Sequence, residues 1–125
     1  MILLTDDLRT RFQANGRQRG IDHVPLVKLF NPMGAATWLA TELDSDGDTL
    51  FGLADLGFGC PELGSFSLRE LASLRLPFGL GIERDLLFEA TFPLSAYTEA
   101  AQETGSIMEG IRFLAKATAS QQGSR

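Results

Sequence analysis

Two apolar runs on either side of a short acidic turn constrain this chain more than any other feature. In Thr37-Trp38-Leu39-Ala40-Thr41-Glu42-Leu43, strict alternation places Trp38, Ala40 and Glu42 on one face and Thr37, Leu39, Thr41 and Leu43 on the other. Asp44-Ser45-Asp46-Gly47-Asp48 holds an Asp-Gly turn, and Thr49-Leu50-Phe51-Gly52-Leu53-Ala54 resumes as a strand. The pattern predicts a central antiparallel hairpin near residues 37–54, and a hairpin must pack its apolar face on something else.

The flanking segments supply what it packs on. Thr5 is placed to cap a helix whose first turn carries Asp6 and Asp7, where carboxylates suit the positive end of the helix dipole, with Gly16 as a left-handed stop. Val24 to Phe30 reads as a strand closed by Asn31-Pro32-Met33-Gly34. Ser67-Leu68-Arg69-Glu70 carries the Ser-x-x-Glu signature of a short helix near 67–75, buried through Leu68, Leu71, Leu74 and Ala72. Arg84 to Phe88 reads as a last short strand. From Ser95 to about Ala119 the chain is helix-forming, with Ile107, Met108, Ile111, Leu114, Ala115 and Thr118 on one side and a break at Gly105-Ser106. The expected fold is α+β: a small, mostly antiparallel sheet of about four to five strands, packed by an N-terminal helix, the short helix and the C-terminal helical segment.

At 125 residues with 44% hydrophobic content, this is one domain with one core. Residues 1–97 are read as its body, 98–119 as an amphipathic helical extension and 120–125 as a disordered tail. Cys60 is the single cysteine, so no internal disulfide forms. Met1-Ile2-Leu3-Leu4 runs into Thr5-Asp6-Asp7 with no basic leader, and charges interrupt every apolar stretch, so a soluble cytoplasmic protein without membrane contact is expected. The net charge of −5 is polarised: the first 28 residues are +2, through Arg9, Arg11, Arg17, Arg19 and Lys28, and the remainder is −7. That basic quarter is the only segment suited to nucleic acid, and a solvated helix face is the favoured reading of it.

Signals for chemistry are weak. Glu42-Leu43-Asp44-Ser45-Asp46-Gly47 imitates half of a calcium loop, but position twelve would be Leu53 and the flanks are strands, so no metal is assigned. Cys60 and His23, with Asp55 or Glu62 to orient them, are the residues of a minimal nucleophile site, yet nothing in the sequence joins them. Gly57-Phe58-Gly59 and Gly79-Leu80-Gly81 each lack the third glycine of a dinucleotide fingerprint, so no cofactor is assigned and no catalytic residue is named. The binding candidates are Trp38, Glu42, Glu62, Arg84 and Asp85, an aromatic and four charges on strand-like segments. Arg84 reads as a clamp for a carboxylate or phosphate, or as a partner of Glu62 or Glu42.

Leu3-Leu4-Thr5, Val27-Lys28-Leu29-Phe30, Thr37-Trp38-Leu39-Ala40-Thr41-Glu42, Phe51-Gly52-Leu53, Glu62-Leu63-Gly64-Ser65-Phe66-Ser67-Leu68 and Ile82-Glu83-Arg84-Asp85-Leu86 follow one another in order. That series resembles the domain of unknown function 2958 family, small proteins of bacterial plasmids, integrative elements and phages. The resemblance spans about Met1 to Tyr97. It carries over no catalytic residues or cofactor, and it implies accessory work for a mobile element: DNA transfer, maintenance or interference with host defence. The expected function is therefore a non-enzymatic protein-binding accessory factor. A small enzyme using Cys60 and His23 or a carboxylate–Arg site, and a nucleic-acid contact through the N-terminal arginines, stand as alternatives. The partner's identity and the oligomeric state stay open.

Overall fold

The computed structural model describes residues 1–123. Five antiparallel strands, β1 (Val27–Phe30), β2 (Thr37–Leu43), β3 (Thr49–Asp55), β4 (Glu62–Ser67) and β5 (Glu83–Arg84), form one sheet in the order β4-β3-β2-β1-β5. The helices are α1 (Asp6–Gly16), α2 (Leu68–Ser73), α3 (Leu94–Thr104) and α4 (Ile107–Gly123). The class is α+β, as the sequence pattern predicts.

Helices cover both faces of the sheet. On one face Phe12 of α1, Leu68 and Leu71 of α2, and Leu3 and Leu4 pack against Leu29, Trp38, Ala40, Leu43 and Leu50. On the other, Leu94, Tyr97 and Ala101 of α3 and Ile107 of α4 pack against Leu39 and Leu53. This explains why β2 is buried almost throughout: a central strand with helices on both sides has no solvent face.

The central hairpin forms as its pattern predicts, and the three aspartates of its turn each hold something in place. Asp46 accepts the N–H groups of Asp48 and Thr49 at 2.8 and 2.9 Å, and Gly47 adopts φ 73. Asp44 pairs with Arg19. The Asp48 carboxylate accepts from the Ser67 hydroxyl at 3.0 Å and the Arg69 N–H at 2.8 Å, which ties the start of α2 to the turn.

The caps also form: Thr5 accepts from Leu8 N–H at 3.2 Å, Ser67 from Glu70 N–H at 3.1 Å and Ser106 from Glu109 N–H at 3.1 Å. Gly105, at φ 92, separates α3 from α4. Several boundaries differ from the sequence reading. Gly16 is not a left-handed stop; it is the last residue of α1, and a Cβ there would lie 2.4 Å from the Leu43 carbonyl oxygen, so glycine serves clearance. Helix α2 ends at Ser73, which leaves Leu74 beyond it and exposed, and Ala72, on the outer side of the helix, is exposed as well. β1 starts at Val27, beyond Pro25. β5 stops at Arg84 because the Asp85 carboxylate accepts Leu87 N–H at 3.0 Å and turns the chain out of the sheet. Helix α4 runs to Gly123, through most of the tail read as disordered, and Ser124 and Arg125 lie outside the described residues.

Candidate functional site

Three of the five binding candidates share one row across the sheet and still do not meet. Ala54 pairs with both Glu62 and Trp38, and Leu29 pairs with both Trp38 and Arg84, so the row runs Glu62, Ala54, Trp38, Leu29, Arg84 from edge to edge. Four inter-strand spacings put Glu62 and Arg84 about 19 Å apart. Trp38, at its centre, is 6% exposed beneath α1 and α2 and is a core residue. The Arg84 guanidinium donates to the Leu3 carbonyl at 2.6 Å and ties down the N-terminal segment; neither Glu62 nor Glu42 is its partner.

Glu42 lies on the opposite face. The register of β2 against β3 shifts between Ala40 and Glu42, so Thr41 is an extra residue and the strict alternation breaks there. Glu42 then pairs with Phe51 and lines a separate cavity of about 420 Å³ with Arg19, Asp22 and Ser65.

Asp85 belongs to a different constellation. Lys28 sits between buried Val27 and Leu29 on β1 and points to the α3–α4 side, and its Nζ donates to Asp85 Oδ2 at 3.2 Å. The pair is mostly buried, with side-chain exposures of 11% and 29%. Two cavities meet at it. One of about 460 Å³ reaches past Phe30, Thr37 and Asp55 to Ser106 and Met108 at the start of α4. The other, about 500 Å³, runs between the 87–92 loop and the flank of α4, past Phe88, Phe92, Ile111, Leu114, Ala115 and Ala119. Together they make a cleft along α4 from Met108 to Ala119, about 16 Å at the helical rise. Its walls are mainly aromatic and aliphatic; Leu87, which lines it, is 94% exposed, and Leu86 next to it (69%) and Phe113 elsewhere on α4 (52%) are exposed as well.

Asp55 fixes the head of this cleft. It is 2% exposed, and its carboxylate accepts Gly57 N–H and Ile107 N–H, each at 2.9 Å, so the last residue of β3 holds the first residue of α4. The helices are clamped further along: at Gly110, a Cβ would lie 2.8 Å from the Ala101 amide nitrogen of α3. The charged groups lining the cleft are Lys28 against Asp55, Asp85 and Glu89, an acidic balance within apolar walls.

Sequence reasoning counted Lys28 only in the basic quarter and Asp55 only as a helper of Cys60. A usable signal was present: a lysine inside Val27-Lys28-Leu29-Phe30 must be buried and therefore paired. For Asp55 the local bond to Gly57 N–H gives no hint of its anchoring role, because the group it anchors, Ile107 N–H, lies 52 residues away in the chain.

Cys60 and His23 do not meet. Cys60 is exposed in the loop leaving β3, whereas His23 precedes β1, at the opposite end of the sheet, with its Nε2 3.0 Å from the Gln18 carbonyl oxygen. The N-terminal arginines are partly engaged, Arg9 with the Gly47 carbonyl at 3.0 Å and Arg19 with Asp44, which leaves Arg11 and Arg17 exposed. Among the described residues, no three His, Cys, Asp or Glu side chains gather as a metal site, and no helix is long and apolar enough to cross a membrane.

Comparison with curated proteins and with solved structures gives no significant match. A family model does match, over residues 3–108, from the N-terminal segment through all of α3 to the first turn of α4. The chain belongs to that family, described as protein of unknown function (DUF2958).

Proposed function

We propose that this protein is a non-enzymatic accessory factor that acts by binding another protein, and that the cleft along α4 receives it. The observation that carries the reading is the junction of two cavities at a mostly buried Lys28–Asp85 pair, with large apolar side chains left in solvent beside it. Apolar concavities with a few fixed charges bind; catalysis needs a nucleophile or base set against a reacting group as well. Exposed Leu86 and Leu87 supply the contiguous apolar surface that partners cover. The acidic balance of the lining selects the occupant: a partner segment with apolar anchors and a Lys or Arg that reaches Asp85 or Glu89. In the mobile-element setting of the resemblance, the partner would be a host or element protein that the factor occupies.

Selection of displayed peptides against the full chain tests this. Enriched sequences should combine aliphatic or aromatic residues with Lys or Arg, and should lose binding to the Leu87→Asp and Ala115→Arg variants while keeping it to Arg11→Ala. A selection that enriches nothing, or peptides indifferent to Leu87→Asp and Ala115→Arg, defeats the proposal. The accessory role has its own readout: expression in a bacterial host should raise the survival of incoming phage or plasmid DNA, and Leu87→Asp should abolish the gain.

A further inference from the structure

We propose that β4 is a pairing edge for a second copy of this chain. β4 is an outer strand of six residues that pairs with β3 in unbroken register, from Ala54↔Glu62 to Thr49↔Ser67. Which of its backbone groups remain free follows from two hydrogen bonds. Leu68 N–H donates to the Asp48 carbonyl and Asp44 N–H to the Thr49 carbonyl, both at 2.9 Å. Antiparallel pairs alternate, so the even-numbered residues of β3 face β4, and Glu62, Gly64 and Phe66 use their backbone groups on it. Leu63 and Ser65 point theirs outward, and so does the Ser67 N–H, the Ser67 carbonyl belonging to the first turn of α2. Leu63 and Ser65 are exposed.

The two edges of the sheet are treated differently. β5 is two residues long, and the outward N–H of Arg84 lies 3.1 Å from Met1 Sδ. Along β4, residues 63–67 contain no charge, no proline and no bulge, the devices by which edge strands ordinarily repel a neighbour.

Self-pairing also has one register that fits. A two-fold axis perpendicular to the sheet sets residues of the same face opposite one another only if it passes at a residue position. Centred on Ser65, it sets the Ser65 N–H and carbonyl against those of the other copy's Ser65, and Ser67 N–H against the other copy's Leu63 carbonyl. All three outward residues are then engaged. The same register lays Phe66 across Gly64 in the closely spaced kind of pair, where a Cβ on Gly64 would meet nothing within 4 Å of its own chain. Glu62 falls beyond the paired stretch and meets no like charge. The two α4 clefts would then open on the same face of one continuous sheet, making the assembly bivalent.

Light scattering and sedimentation of the full chain across concentration decide the matter. The wild type should approach twice 13.6 kDa as concentration rises. Ser65→Pro should be monomeric with unchanged circular dichroism, because it deletes an N–H that β3 does not use. Ser65→Lys and Ser65→Glu should each be monomeric alone and dimeric when mixed, since the two positions face each other across the axis; this pair keeps the test valid should the proline variant fail to fold. A wild type that stays monomeric up to its solubility limit, or a dimer that survives both Ser65→Pro and Ser65→Lys, overturns the proposal.

Discussion

Replacing Asp55 with asparagine changes one atom and should unfasten α4. The carboxylate is 2% exposed and accepts two backbone N–H groups, Gly57 on Oδ1 and Ile107 on Oδ2, each at 2.9 Å. An asparagine amide offers one oxygen and one NH₂ group, so one of those N–H groups faces a donor in a dry site. Hydrogen bonds to charged groups contribute about 1.5–3 kcal/mol, and a carboxylate at a helix N-terminus about 0.3–1 kcal/mol more. Relief of the charge's own desolvation offsets part of this, leaving a net loss of about 2–3 kcal/mol. Against the roughly 5–15 kcal/mol of an ordinary domain that is a large fraction. With a urea slope of about 1.5–2 kcal/mol/M, the midpoint should fall by about 1–2 M. Amide exchange should quicken first at Ile107 and along α4, because the lost bond is the one that anchors that helix to the sheet. A variant within about 0.5 kcal/mol of wild type, or one in which α1 and α4 loosen equally, would refute the assignment of Asp55 as the local anchor.

The contact between α3 and α4 and the hairpin turn give two further predictions. Gly110→Ala forces a Cβ to within 2.8 Å of the Ala101 amide nitrogen, so the helices must separate; the strain outweighs the gain in helix propensity, and the variant should lose about 1–2 kcal/mol in thermal denaturation. The Asp46 carboxyl is held at a pKa of about 2, below the ordinary 3.8, chiefly by the Thr49 hydroxyl and then by the N–H groups of Thr49 and Asp48. Its folded pKa is depressed, so its contribution to stability is present above the unfolded value and is lost as pH falls through about 2. Carboxyl-carbon NMR should place its midpoint near 2, and Thr49→Val should move it upward; a wild-type midpoint near 4 would contradict the geometry.

The parts of the fold that were legible are those set by neighbours in sequence. The hairpin turn at Asp44 to Asp48, the caps at Thr5 and Ser67 and the break at Gly105-Ser106 rest on residues within four positions of one another, and each formed. What escaped depends on the third dimension. Gly16 has the composition of a left-handed stop, but its function is clearance beneath the Leu43 carbonyl, a contact 27 residues away. The bulge at Thr41 has no local signature, and by adding one residue it moves Glu42 to the far side of the sheet from Trp38.

The five binding candidates do not converge, for a related reason. Alternation says which residues share a face but nothing of how many strands lie between them, so Glu62 and Arg84 fall on one row of one face at opposite edges of the sheet. Charges on such a row meet only if their strands are adjacent. Lys28 and Asp85 satisfy that condition, being carried by β1 and by the residue that follows its neighbour β5. The Asp85 turn that ends β5 also sends Leu86 and Leu87 into solvent, so one carboxylate holds the buried lysine and sets the exposed apolar surface beside it. Replacing Asp85 should therefore affect both the cleft floor and its rim, whereas replacing Leu87 alters the rim alone. That difference separates the proposed binding surface from the structure that presents it.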